Sequence, residues 1–331
     1  MRMLNRIYEK DRNFFRLLGV MLIVFGICSF LQPALFPTLS NMMAIARQFP
    51  EYGILAVAIG LTMLTGGIDL SVVSVANLSA ILAAMIMRAH AVDMPEYQTA
   101  YVVLAACLVA IVSGLACGAI NGTLVAKIGI PPILATLGTQ QLFLGIAIVV
   151  TGGRSQSGLP DMFARLGRAV YGGVFPFVLV VFMVCVLLLG LVLSRTAFGA
   201  KIYMLGTNEK AAAYAGLNTH WLVIKTYAIA GGLAAVGGLI MMVQANAMRA
   251  GFGSTYTLQA VLVAVMGGIS PKGGIGNIQG IVVAVIILQM ISSVLAMFAQ
   301  ISNFYRDIFW GIILVLVLII NHYANKNTTI V

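Results

Sequence analysis

The run Val174–Ser194, VFPFVLVVFMVCVLLLGLVLS, carries no charged side chain from end to end. A bilayer core takes about 20 apolar residues per spanning helix, whereas a soluble helix is apolar along one stripe only. Ile275–Asn303 is equally free of charge. The chain around these runs has the same character. Of its 331 residues, 61% are hydrophobic and 8% are charged, and its mean hydropathy is +1.04. A water-facing surface needs roughly 25–35% charged residues. The sequence therefore specifies an all-α integral membrane protein.

The same criterion gives ten spans, at 17–36, 51–65, 70–88, 101–126, 132–151, 174–194, 222–245, 257–268, 276–300 and 307–323. An even count puts both termini on one side. Residues 1–16 are polar and carry Arg2, Arg6, Lys10, Arg12 and Arg16. The run that follows is too long for a signal-peptide core and no A-x-A site directly follows it, so it reads as a retained first helix with a cytoplasmic N-terminus. On that basis 1–16 is a cytoplasmic segment, 17–323 a single polytopic domain with a cytoplasmic loop at 195–221, and 324–331 a cytoplasmic tail. Lys127, Arg195, Lys201, Lys210, Lys225, Lys272 and Lys326 join the five N-terminal cations inside. Arg47, Arg88, Arg154, Arg165, Arg168, Arg249 and Arg306 fall outside. The net charge of +10 thus marks the ends of spans. It forms no basic stripe with interleaved aromatics, so no nucleic-acid partner is expected and the bilayer is. Cys28, Cys107, Cys117 and Cys185 lie in apolar runs without CxxC or Cys/His spacing, and read as small packed side chains.

Spans 51–65 and 257–268 are short for a bilayer, and each runs into one tripeptide: Gly66-Gly67-Ile68 and Gly267-Gly268-Ile269. Paired Gly-broken helices in two halves of a chain point to a transporter's substrate path. Freed backbone is tolerated only where protein or a water-filled cavity satisfies it. Both breaks fall on the same side in this count, whereas a strict inverted repeat would oppose them. Either they are not repeat-equivalent or the count is off by one. Gly114, Gly118 and Gly122 share one helix face, and Gly276 and Gly280 repeat the spacing; such faces serve close packing or a mobile seam.

The longest internal polar stretch is Arg195–His220. Within it Asn208 can cap a helix, with Glu209 in the first turn, Ala211–Ala213 behind it and Gly216 to end it. About two turns of helix are marginal alone in water, so this one must dock on something. Asp69 is the one acid in a deeply apolar context, where an ionised Asp costs about 2.5–3.5 kcal/mol. It reads either as a helix N-cap after the Gly-Gly break, bonding the amide of Ser71 or Val72, or as a group near a path or gate; the two are compatible. Asn77, Asn121, Gln140, Gln141, Gln244, Asn246, Gln259 and Gln289 are neutral polar groups within or beside spans. Phe143, Tyr227, Phe252 and Tyr256 are aromatic platforms for a sugar or simple packing groups.

The chain has no catalytic constellation. Its histidines are His90, His220 and His322, and it holds no Gly-Lys dipeptide, which a P-loop requires. A passive pore, an externally powered pore and an ion-coupled carrier remain. The lack of an intramembrane Asp/Glu/His relay counts against the third.

Three blocks carry a resemblance. The first is Leu64-Thr-Gly-Gly-Ile-Asp-Leu-Ser-Val72. The second joins Asn121-Gly122-Thr-Leu-Val to Ile130-Pro-Pro-Ile-Leu-Ala-Thr-Leu-Gly138. The third joins Arg195-Thr-Ala-Phe-Gly199 to Gly206-Thr-Asn-Glu-Lys-Ala-Ala-Ala213 and Gly216. With the later Gly267–Gly276 cluster, they make the chain, from about residue 50 to 320, resemble the permease subunits of bacterial monosaccharide ABC importers of the ribose/xylose/arabinose/galactofuranose group. Val73, Ala200 and Ile269 depart from the usual Gly, basic residue and Thr. The resemblance implies a type II importer-like dimer of two ten-helix permeases in the inner membrane. Partner ABC ATP-binding subunits use ATP and Mg, no cofactor is bound by this chain, and a periplasmic sugar-binding protein delivers the solute. It implies that Thr207, Asn208, Glu209, Lys210, Ala211, Ala212 and Ala213 form the coupling helix. The path or gate is expected at Gly66, Gly67, Asp69, Ser71, Asn77, Asn121, Gln140, Gly267 and Gly268. The alternative is an ion-coupled sugar carrier acting without an ATPase.

Overall fold

A computed structural model describes residues 12–90, 94–173 and 175–298, together with Ile308, Gly311, Ile312 and Val315. Most of the span expected at 307–323 and of segment 1–16, and all of the tail 324–331, lie outside the described residues. In chain order the elements are α1 (Arg12–Leu31), α2 (Leu39–Leu64), α3 (Val72–His90), α4 (Glu96–Ala126), α5 (Pro132–Thr151), β1 (Gln156–Ser157), α6 (Asp161–Arg168), β2 (Val170–Tyr171), β3 (Phe175–Pro176), α7 (Phe177–Arg195), α8 (Ala197–Thr207), α9 (Glu209–Tyr214), α10 (Thr219–Ala245), β4 (Ala247–Met248), α11 (Tyr256–Met266) and α12 (Ile278–Met297). The strands are two-residue antiparallel pairs, β1 with β4 and β2 with β3, that tie loops at one end of the bundle. Seven described helices are long and apolar enough to cross a membrane.

The second span differs from expectation. Its helix begins at Leu39, capped by the Thr38 hydroxyl on the Asn41 amide, and runs 26 residues. From the sequence, Arg47 falls outside the membrane and the span begins at Glu51, which leaves Arg47, Gln48 and Pro50 before it. They lie inside the helix, where Gln48 and Glu51 find distant polar partners. The first span also ends early, at Leu31, because Pro33 and Pro37 bracket a turn in which Phe36 is fully buried. By contrast α11 is short, at 11 residues.

The inner half of α2, from Ile54 to Leu64, is buried on every side, as an all-round apolar helix must be. Helices α3, α7, α10, α11 and α12 pack around it. Helix α1 lies at the periphery, packing on α12 through Leu17, Met21 and Val24 and exposing Leu22, Ile23, Ile27 and Phe30. Helix α10 lies against α4 across the glycine face. A Cβ on Gly122 would stand 2.6 Å from the Ile224 Cα, and one on Gly114 or Gly118 would overlap the carbonyls of Gly231 or Tyr227. Small residues here let two backbones touch.

The connections α2–α3, α4–α5, α7–α10 and α11–α12 share one end of the bundle. The Gly274 amide donates to the Leu64 carbonyl at 2.9 Å, and Lys127 Nζ stands 5.6 Å over the Trp221 ring. The two Gly-Gly breaks therefore lie on the same side.

Candidate functional site: loop helices, glycine junction and polar cavity

Two helices fill the loop where one was expected. Thr196 caps α8 through the Gly199 amide at 3.3 Å. Asn208 caps α9 through the Ala211 amide at 3.0 Å, and Gly216 follows at φ +80°, a conformation natural to glycine. In α9, Glu209, Lys210, Ala211 and Ala213 are exposed while Ala212 is buried. The helix thus rests on Ala212 and offers its other side outward.

Beneath it the loop meets both breaks. Gly66 has φ +84° and Gly268 φ +91°. A Cβ on Gly273 would stand 2.7 Å from the Gly66 nitrogen and 2.8 Å from the Gly206 oxygen, and one on Gly274 2.7 Å from the Thr207 nitrogen. A Cβ on Gly206 would overlap the Leu64 oxygen and the Gly274 nitrogen. Three backbones thus meet where any side chain would separate them. Tyr203 pins the arrangement, its hydroxyl donating to the Gly276 carbonyl at 2.9 Å. Burial pushes the Tyr203 phenol above its ordinary pKa, which keeps it a donor. Ile269, one of the departures from the family pattern, is buried and packs between Gly60 and Gly276.

Next to the first break is a buried polar group. Asp69 Oδ1 accepts from the Ser71 amide at 2.9 Å and the Ser71 hydroxyl at 2.7 Å. Asn121 Nδ2 donates to Ser71 Oγ at 2.7 Å and to Asp69 Oδ2 at 3.3 Å. The Asp69 side chain thus takes up an amide at the start of α3, as a cap does. The Tyr227 hydroxyl lies against Gly67 and has no hydrogen-bond partner among the described residues. Asn77 lies elsewhere, its Nδ2 donating to the Phe252 carbonyl at 3.0 Å. Gln140 is half-buried on α5 and joins neither this group nor the cavity described next.

That cavity, of about 650 Å³, lies between α2, α11 and α12, toward the Leu39 end of α2. Its volume falls within the roughly 300–1,000 Å³ of small-molecule sites. Tyr52 donates to Gln289 Oε1 at 3.0 Å, Gln289 Nε2 to Gln48 Oε1 at 2.7 Å, and Tyr256 to Glu51 Oε2 at 3.0 Å. Of the residues that line the cavity, Tyr256, Gln259 and Gln289 were legible in the sequence as intramembrane polar or aromatic groups. Glu51 was hidden by its place next to Arg47, Gln48 and Pro50. None of the residues expected at the path or gate from the sequence lines this cavity.

Residues 41–318 match the family model described as the branched-chain amino acid transport system / permease component. The chain belongs to this family. The permease is similar to the autoinducer 2 import system permease protein LsrC of Salmonella typhimurium, at 33% identity over 269 residues, covering 80% of this chain and 73% of that protein. It is similar to the LsrC of Photorhabdus laumondii at 29% over 314 residues, covering 95% and 90%, and to that of Escherichia coli at 34% over 271 residues, covering 80% and 74%. No solved structure matches the permease. The resemblance to sugar-importer permeases holds: the permease is the transmembrane subunit of an ABC-type importer and a transporter component, not a catalytic enzyme. The ion-coupled carrier is not favoured.

Proposed function

We propose that this permease moves a monosaccharide, or a polyhydroxyl solute of similar size such as the autoinducer 2 of its relatives' names, inward across a bacterial inner membrane. It acts as a dimer with a second copy or paralogue. An ATP-binding subunit docks on α9 and hydrolyses ATP with Mg, and a periplasmic binding protein delivers the solute at the opposite face. Both termini are cytoplasmic in this reading. Lys127, Arg195, Lys201, Lys210, Lys225 and Lys272 then flank the cytoplasmic end, as topology favours.

The observation that carries the proposal is the contact of the α8–α9 loop with both glycine breaks. A helix of six residues is too short to persist alone, and it sits on a junction with no side chain to cushion movement. A push on α9 therefore reaches α2 and the α11–α12 loop directly through backbone.

The test is uptake into proteoliposomes holding the permease, its ATP-binding subunit and a loaded binding protein. Labelled ribose or autoinducer 2 should accumulate with ATP present, and labelled leucine should not. Leucine uptake without sugar uptake would overturn the substrate assignment in favour of the amino acids in the family's description.

A further inference from the structure

The cavity between α2, α11 and α12 has the character of a binding site within one subunit. We propose that it is a substrate subsite for an uncharged polyhydroxyl molecule, held by the permease itself without the binding protein. This deepens the sugar-importer reading and rests on it.

The fixed part of the site is a chain of side-chain bonds. Tyr52, Gln289 and Gln48 bond in sequence, Tyr256 bonds Glu51, and Ser293 donates to Asn41 Oδ1 at 2.7 Å. These bonds lock the lining before any solute arrives, which lowers the ordering cost of binding. The Tyr52 and Tyr256 rings stand 6.0 Å apart, tilted by 46°, and offer apolar faces to C–H groups. The unengaged part is mixed in polarity. Glu51 Oε1, the Gln259 side-chain carboxamide and the Ser292 hydroxyl line the cavity and make no hydrogen bond among the described residues. Together they supply acceptors and donors, the complement of vicinal hydroxyls.

Charge settles what is turned away. Among the described residues no Lys, Arg or His lines the cavity, so a carboxylate or phosphate finds no cation among them. Three of the first four amides at the N-terminus of α11 are also taken up. The backbone amides of Tyr256, Thr257 and Gln259 already donate to the carbonyls of Gly253, Ser254 and Thr255. An amino-acid zwitterion would leave its carboxylate unpaired, and a sugar phosphate would meet the Glu51 carboxyl group.

The experiment uses the reconstituted importer without binding protein, carrying Ala44→Cys. Ala44 lines the cavity and makes none of its hydrogen bonds. Alkylation by a bulky water-soluble thiol reagent should block the path, with the unsubstituted chain as background. Ribose or autoinducer 2 at high millimolar concentration should slow alkylation at least fivefold, and ribose 5-phosphate and leucine less than twofold. Adding Glu51→Leu or Gln289→Leu should abolish the protection. Absence of protection by either sugar, in liposomes that import it normally with ATP and binding protein, would overturn the subsite and leave the transport reading intact. Equal protection by ribose 5-phosphate would overturn the selectivity. Liposomes that import neither sugar under any condition would overturn both readings.

Discussion

Gly206→Ala isolates the junction from every other feature. Gly206 lies in the last turn of α8 and its φ is not in the left-handed region, so alanine imposes no backbone strain and is the better helix former. Its effect comes only from the added methyl. That methyl would overlap the Leu64 oxygen and the Gly274 nitrogen, the two ends of a 2.9 Å hydrogen bond. Neither neighbour is the tip of a flexible side chain, so α8 must move away or the bond must open. Overpacking costs about 1–3 kcal/mol, and the lost bond adds about 1 kcal/mol. The total of about 2–4 kcal/mol corresponds to roughly 30- to 1,000-fold in the population of the intact junction. In proteoliposomes with the partner subunits, Gly206→Ala should retain ATP hydrolysis and lose most sugar uptake. Gly190→Ala serves as the control, since a Cβ there meets nothing within 4 Å; it should transport normally. Uptake by Gly206→Ala equal to that control would refute the junction as the route of coupling.

Other substitutions test the neighbouring links. Glu209→Lys should insert and assemble normally but import little solute while ATP hydrolysis continues, measured as the ratio of the two rates. Asn208→Ala removes the bond to the Ala211 amide and should cost α9 about 1 kcal/mol, seen as weaker co-purification of the ATP-binding subunit, with Asn208→Asp close to normal. Asp69→Ala strands the Ser71 amide and hydroxyl in a buried site; it should lower stability by about 1–3 kcal/mol, read as an earlier thermal transition in detergent. Gly118→Leu would drive α4 from the Tyr227 carbonyl, and membrane-inserted, monodisperse protein should be largely lost.

The parts of this molecule that could be read from sequence are those set by local physics. Charge-free runs fix spans, Asn208 followed by Glu209 and an alanine run fixes α9, and Gly216 fixes its end. Asp69 next to a Gly-Gly pair reads as a cap and accepts the Ser71 amide. Helix α8 carried a signal of its own, Thr196 three residues before the amide it caps, which the neighbouring Asn208 cap overshadowed. The cavity had no local signature. Glu51 and Gln48 look like the edge of a membrane span because their partners, Tyr256 and Gln289, lie 205 and 241 residues further along the chain. The glycine junction was legible only as two separate breaks; their contact with Gly206 is a tertiary fact. The same limit explains α2, whose outer half is held in the helix by partners on α11 and α12.

The most direct test of the account is the energy source for sugar uptake by the reconstituted importer. Labelled ribose or autoinducer 2 should accumulate only with ATP, the ATP-binding subunit and loaded binding protein all present, and a protonophore should leave the rate unchanged. Accumulation driven by a proton gradient, without ATP or the partner subunit, would contradict it.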